Sequence, residues 1–174
     1  MAGKRRGATP LGAVVRTKGR YILVNGMISN GEWDRAASIQ LDPETQIRAK
    51  MDRESLFLAI VFEGPRHTGV DLYLKSAGKL RLLHISSATG QKEFRDGQWS
   101  EMKWGRNHWG TANIIGHIVK EGKTSPLEPE AFEFQLARAE LGRDVEVYLH
   151  LKRPEKRFRW VHLRMSRIGG YASL

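Results

Sequence analysis

The sequence predicts an all-β fold: an antiparallel, jelly-roll-like β-sandwich of roughly nine or ten short strands, with no long helix. Two observations carry this. Residues 52–86, DRESLFLAIVFEGPRHTGVDLYLKSAGKLRLLHIS, hold three apolar runs separated by two turn clusters. Further on, Val145, Val147, Leu149 and Leu151 alternate with polar residues, as a strand with one buried and one wet face requires. Many short strands punctuated by turns favour a sandwich, with a barrel second.

Residues 1–19, rich in Gly, Lys and Arg, are expected to form a flexible basic arm, ahead of a single domain over 20–168 and a short tail at 169–174. A first strand is expected at 20–24. The turn dipeptides Asn25-Gly26 and Asn30-Gly31 follow, with Trp33 as a buried anchor beside them. In the strand expected at 45–51, Ile47, Ala49 and Met51 share one face. The run 55–62 is apolar on both faces, Leu56, Leu58, Ile60 and Phe62 on one and Phe57, Ala59 and Val61 on the other, so it should be central and covered. Gly64-Pro65 ends it. Val70, Leu72 and Leu74 then alternate with Asp71, Tyr73 and Lys75, and the short Ser76-Ala77-Gly78 link leads to a returning strand at 79–86. These three strands are expected to be neighbours in one β-meander.

From 88 to 111 the alternation breaks down. This predicts a long irregular connection carrying Trp99, Trp104 and Trp109, and such connections are often functional. Further strands are expected at 113–121, 131–137, 145–151 and 157–165. A loop at 122–130 and a turn, or one helical turn, at 138–142 separate them.

A chain of 174 residues with 40% hydrophobic content can bury a core without staples. The absence of cysteine excludes disulfides and cysteine-ligated metals. No apolar run approaches the ~20 residues of a membrane helix, and the sequence as written shows no secretory leader. The expectation is a cytoplasmic protein, or a periplasmic or secreted one if a leader has been removed. The net charge of +10 lies at the ends: residues 1–20 carry +6, residues 152–167 another +6, and the rest sums to −2. Charge placed this way suits docking better than a basic groove. The candidate partner-binding residues are Lys4, Arg5, Arg6, Arg16, Lys18, Arg20, Arg157 and Arg159. They suit an anionic protein or lipid-headgroup surface. Nucleic acid comes last, because no nucleic-acid motif accompanies the charge. The plain alternative is a solubilising arm.

Several segments fall into a recognisable order. An NG-x-x-x-x-GEWD-x-A opening (residues 25–36) precedes a D-x-E-x-LFLAI strand (52–60), a VDLYL strand (70–74) and FEFQLARAELG (132–142). Over about residues 21–165 this resembles the family-nine carbohydrate-binding modules and their DOMON-like relatives. The resemblance implies a β-sandwich that binds sugars through aromatic side chains, with calcium bound for structure; relatives bind haem or act as interaction modules. Asn25 stands where those domains usually carry an acid, Ala137-Arg138 replaces their Ile-Pro, and no dense acidic cluster is present for calcium.

Aromatic faces suit sugars because axial C–H groups stack on π-systems while polar neighbours bind hydroxyls. Trp99, Trp104, Arg106, Asn107, His108, Trp109 and Asn113 offer that mixture and form the candidate ligand site. Its plain alternative is that one or two of these tryptophans plug the end of the sandwich. Trp160, flanked by Arg157 and Arg159, suits an exposed basic strand. The six histidines, at 67, 84, 108, 117, 150 and 162, show no i,i+2 or i,i+4 pair, so no metal site is expected. Gly122-Lys123-Thr124 lacks the glycine of a phosphate loop five residues earlier, where His117 stands. Asp71 and Glu133, on alternating strands, are carboxylates that could meet, yet no nucleophile motif accompanies them. The sequence therefore leads to a non-catalytic, carbohydrate-binding-module-like protein without cofactor. The alternative is an accessory subunit of a larger assembly, docked through its basic arm.

Overall fold

The computed structural model describes residues 9–10, 22–29, 31–63, 69–86, 88–105, 108–109, 112–115, 118–121, 123–125, 130–152 and 158–165. Among them the chain is all-β. The one helical piece is a 3-10 turn at Arg138–Glu140, and no helix is long and apolar enough to cross a membrane.

Sheet I orders β1 (Thr9–Pro10), β16 (Phe158–Met165), β15 (Val145–Lys152), β5 (Gly69–Ser76), β6 (Lys79–Ile85), β7 (Thr89–Arg95) and β8 (Gln98–Trp99), with β9 (Lys103–Gly105) also paired to β7. Sheet II orders β10 (His108–Trp109), β11 (Ala112–Ile115), β14 (Ala131–Ala137), β4 (Ser55–Phe62), β3 (Thr45–Met51) and β2 (Ala37–Asp42). A hairpin of β12 (Ile118–Lys120) and β13 (Lys123–Ser125) stands apart. Pairing is antiparallel throughout, except that β1 runs parallel to β16, with Thr9 opposite Leu163.

Alternation places the core. Val70, Leu72 and Leu74 of β5 and Val145, Val147, Leu149 and Leu151 of β15 face Leu56, Leu58 and Ile60 of β4 and Phe132 and Phe134 of β14 in one buried cluster. Phe62 and Phe132 meet edge to face at 5.1 Å. Two sheets sharing one apolar layer make the sandwich. Two hairpins close on residue pairs with positive φ, Ala77-Gly78 (50° and 73°) and Asp96-Gly97 (51° and 80°), the turn whose twist matches that of the strands it joins.

The structure corrects five expectations, one of them the loop at 122–130, within which β13 (Lys123–Ser125) pairs with β12. The expected meander of 55–62, 70–75 and 79–86 is split: β4 lies between β14 and β3 in sheet II, while β5, β6 and β7 form the meander in sheet I. The one-sided β5 belongs in a sheet with an open outer face, and the two-sided β4 in a sheet covered on both sides. Residues 88–105 are not irregular but form β7, β8 and β9. Their hydrogen-bonded ladder runs along the sheet edge, where apolar alternation is not needed. Residues 22–24 are not a strand, and the strand expected at 113–121 is broken into β11 and β12.

Residues 22–29 and 31–36 instead lie as a strap over the outer face of sheet II. Val24 and Trp33 pack there on Phe57, Ala59 and Ala131, so Trp33 is buried as expected. Beneath the strap, Glu133 projects outward from β14 opposite Ala59 and is fully buried. Its Oε2 accepts the backbone N–H groups of Asn25 and Gly26, each at 2.8 Å. Glu130 accepts the N–H of Ile28 at 2.8 Å, and Lys50 donates to the Glu32 carbonyl at 2.7 Å. Burial raises the Glu133 pKa from 4.5 to about 7; the Gly26 and Asn25 amides oppose the rise and the Glu32 charge adds to it.

A carboxyl raised on folding stabilises fully below its unfolded pKa and loses that contribution as pH climbs through its folded one. Wild-type stability should therefore fall by about 3 kcal/mol between pH 4.5 and pH 8 through this group. Glu133→Gln, which stays neutral, should remove that part of the slope. Urea unfolding of both proteins across this range measures the difference, and parallel curves would refute the assignment.

Candidate functional site

The outer face of sheet I is built differently from that of sheet II. Residues opposite the core-facing positions of its strands align in one transverse row. Trp104 of β9 faces Gly90 of β7, Gly90 faces His84 of β6, His84 faces Asp71 of β5, Asp71 faces His150 of β15, and His150 faces Trp160 of β16. Six strands at the usual spacing make the row about 24 Å long. A tryptophan closes each end, and both are 61% exposed.

The middle of the row is a tightly bonded polar cluster. Asp71 Oδ1 lies 2.5 Å from His84 Nδ1, while Oδ2 lies 3.0 Å from Lys152 Nζ and 3.5 Å from His150 Nδ1. The side chains of Asp71 and His84 are each only 13% exposed. Burial works against the Asp71 charge, but the hydrogen bonds and charges of His84 and Lys152 outweigh it and hold the pKa down to about 2. On its far side, His84 Nε2 meets Ser86 Oγ at 2.8 Å. These side chains sit where they do because Asp71, His84 and His150 occupy outward positions on adjacent strands whose inward neighbours are core residues.

Aromatic rings surround the cluster. Trp160 stacks on His150 at 4.4 Å and leans on Tyr73 at 5.7 Å. Tyr73 meets Trp99 edge to face at 6.1 Å, and Trp99 meets Phe94 at 5.4 Å. Lys92 Nζ lies 5.0 Å from the Trp99 ring, a cation–π distance. Trp104 presents its ring at 88° to His84, 5.7 Å away. It can do so because Gly90 has no side chain: a Cβ there would lie 2.9 Å from Trp104 Cε3 and 3.0 Å from Met102 Sδ.

The sequence-derived ligand residues divide between the two sheets. Trp99 and Trp104 belong to sheet I, whereas His108, Trp109 and Asn113 belong to strands β10 and β11 of sheet II; Arg106 and Asn107 lie outside the described residues. Trp160 is exposed on β16, whose alternate residues Val161, Leu163 and Met165 are buried. Of the partner-binding candidates, Lys4, Arg5, Arg6, Arg16, Lys18, Arg20 and Arg157 lie outside the described residues, and Arg159 pairs with Leu151 in sheet I. Asp71 and Glu133 do not meet; they stand on different sheets, each pointing away from the shared core. Sequence reasoning missed Asp71, His84, His150 and Lys152 as one cluster. Their outward phase was legible, but the strand pairing that joins positions 71, 84 and 150 was not. Among the described residues, no three His, Asp or Glu side chains are placed together to hold a metal ion.

Gly90→Ala should push Trp104 off the sheet. The expected result is a red shift in tryptophan emission with little change in melting temperature, since the atoms met are the ends of movable side chains. An unchanged spectrum would show that Trp104 is not seated on Gly90. No family model, curated protein or solved structure matches this chain.

Proposed function

We propose that the protein is a carbohydrate-binding-module-like domain whose ligand lies across the outer face of sheet I, between Trp104 and Trp160. The observation that carries this reading is the pair of exposed tryptophans at the two ends of a polar row. An indole left in water forgoes the burial that usually draws aromatic residues inside. Two of them on one flat face suit stacking against sugar rings. Asp71, His84 and His150 supply acceptors and donors for hydroxyls in between, and their mutual bonds hold them in place before a ligand arrives. The resemblance to family-nine modules supports the same class of ligand.

A titration of tryptophan fluorescence with mono- and oligosaccharides tests this. Trp104→Ala and Trp160→Ala should each weaken binding by about tenfold, the worth of one stacked ring. Trp109→Ala, in sheet II, should leave it unchanged. If no sugar shifts the emission, or Trp109→Ala is the damaging change, the site is misplaced.

A second reading, an accessory subunit of a larger assembly, rests on the six Lys and Arg without an acid in residues 1–20. Replacing Lys4, Arg5, Arg6, Arg16, Lys18 and Arg20 with Gln should then release the protein from a complex that co-purifies with the wild type at low salt. Co-purification that survives the change would end this reading.

A further inference from the structure

We propose that Ser86, His84 and Asp71 form an acyl-transfer centre that hydrolyses carboxylic esters. This goes beyond the binding role and does not depend on a sugar ligand. Ser86 Oγ lies 2.8 Å from His84 Nε2, and His84 Nδ1 lies 2.5 Å from Asp71 Oδ1. An ionised carboxylate can only accept, so Asp71 places the imidazole proton on Nδ1 and leaves Nε2 as the base facing the hydroxyl. The atoms stand in the order that nucleophile, base and orienting acid require.

The fold sets this geometry. His84 and Ser86 are two residues apart, so their side chains leave the chain on the same side, and Asp71 is directly opposite His84 on β5. Lys152 holds the other oxygen of Asp71 at 3.0 Å, which fixes the carboxylate from the side away from His84. Ser86 is half-buried just past the end of β6. The backbone N–H of Ala88 points at Ser86 Oγ from 3.4 Å. That amide contacts the nucleophilic oxygen itself, and the Ser86 hydroxyl also lies 3.3 Å from the Ala88 carbonyl, so its proton has two acceptors, Ala88 and His84.

The reaction balances without a further reagent. Ser86 Oγ attacks the ester carbonyl and gives its proton to His84 Nε2. The carbonyl oxygen takes the negative charge, and as the tetrahedral centre collapses the C–O bond to the alcohol breaks. The departing oxygen takes the proton from His84, leaving an acyl ester on Ser86. Water then attacks that ester with His84 as base, releasing a carboxylic acid and restoring Ser86.

The test uses the full chain with an alkyl fluorophosphonate, read by intact mass and peptide mapping, beside hydrolysis of p-nitrophenyl acetate. The expected result is one adduct, on Ser86, that is absent in Ser86→Ala. In His84→Gln both labelling and hydrolysis should slow by about a hundredfold or more. Asp71→Asn, which keeps the shape of the carboxyl, should also slow both, and serves if His84→Gln does not fold. Circular dichroism confirms that each variant is intact. No adduct on Ser86 in the wild type, equal labelling in folded His84→Gln or Asp71→Asn, or undiminished hydrolysis in Ser86→Ala would each overturn the proposal.

Discussion

A carboxylate sealed under a strap of backbone holds the two sides of sheet II in register with each other. Glu133 grows from a strand whose alternate residues, Phe132 and Phe134, fill the shared core, and its own side chain reaches the amides of Asn25 and Gly26 on the far surface. Nearly everything about the strap follows from this bond. Gly26 turns with φ of 77° and returns its carbonyl to the N–H of Glu130, and Trp33 is drawn down onto Phe57 and Ala59. The indole N–H of Trp33 acts on the same carboxyl, yet neither Trp33 Nε1 nor Glu133 Oε1 completes a hydrogen bond. A buried, partly satisfied acid is an unstable arrangement by itself. It persists because strap and sheet close around it together.

That bond also explains why two distant pieces of sequence carry related signals. The Asn25-Gly26 turn with Glu32 and Trp33, and the Glu133 of the late strand, meet at one place. Two further hydrogen-bonded residues close the chain nearby. Asn25 Oδ1 accepts the N–H of Met27 at 3.0 Å, closing its own turn. Arg138 donates its backbone N–H to the Glu54 carbonyl at 2.7 Å and its guanidinium to the Asp52 carbonyl at 2.9 Å. A proline has no N–H to give there.

The sequence revealed phase better than partnership. Period-two alternation identified β3, β5, β14 and β15, and the doubly apolar β4 was correctly read as covered on both faces. It could not say that β4 and β5 belong to different sheets, because a turn-rich link between two strands reads alike whether it closes a hairpin or crosses the sandwich. Strand β7 escaped for a different reason: its outward residues Gly90 and Lys92 and its exposed end leave no apolar rhythm to detect. The site suffered from both. Trp104 was singled out as a loop residue when it lies on a strand, and the row from Trp104 through Gly90, His84, Asp71 and His150 to Trp160 needed five pairings at once.

The site and the core use opposite phases of the same strands. In β15, Val147, Leu149 and Leu151 fill the sandwich while Tyr148, His150 and Lys152 line the outer row. The two sets can therefore change independently. Exchanging an outward side chain alters the chemistry of that face without leaving a void in the interior, so the face is free to drift among descendants of this chain while the architecture stays fixed. The exception is register: a slip of one residue would turn the histidines inward and the valines out, and the polar row and the core would be lost in a single event.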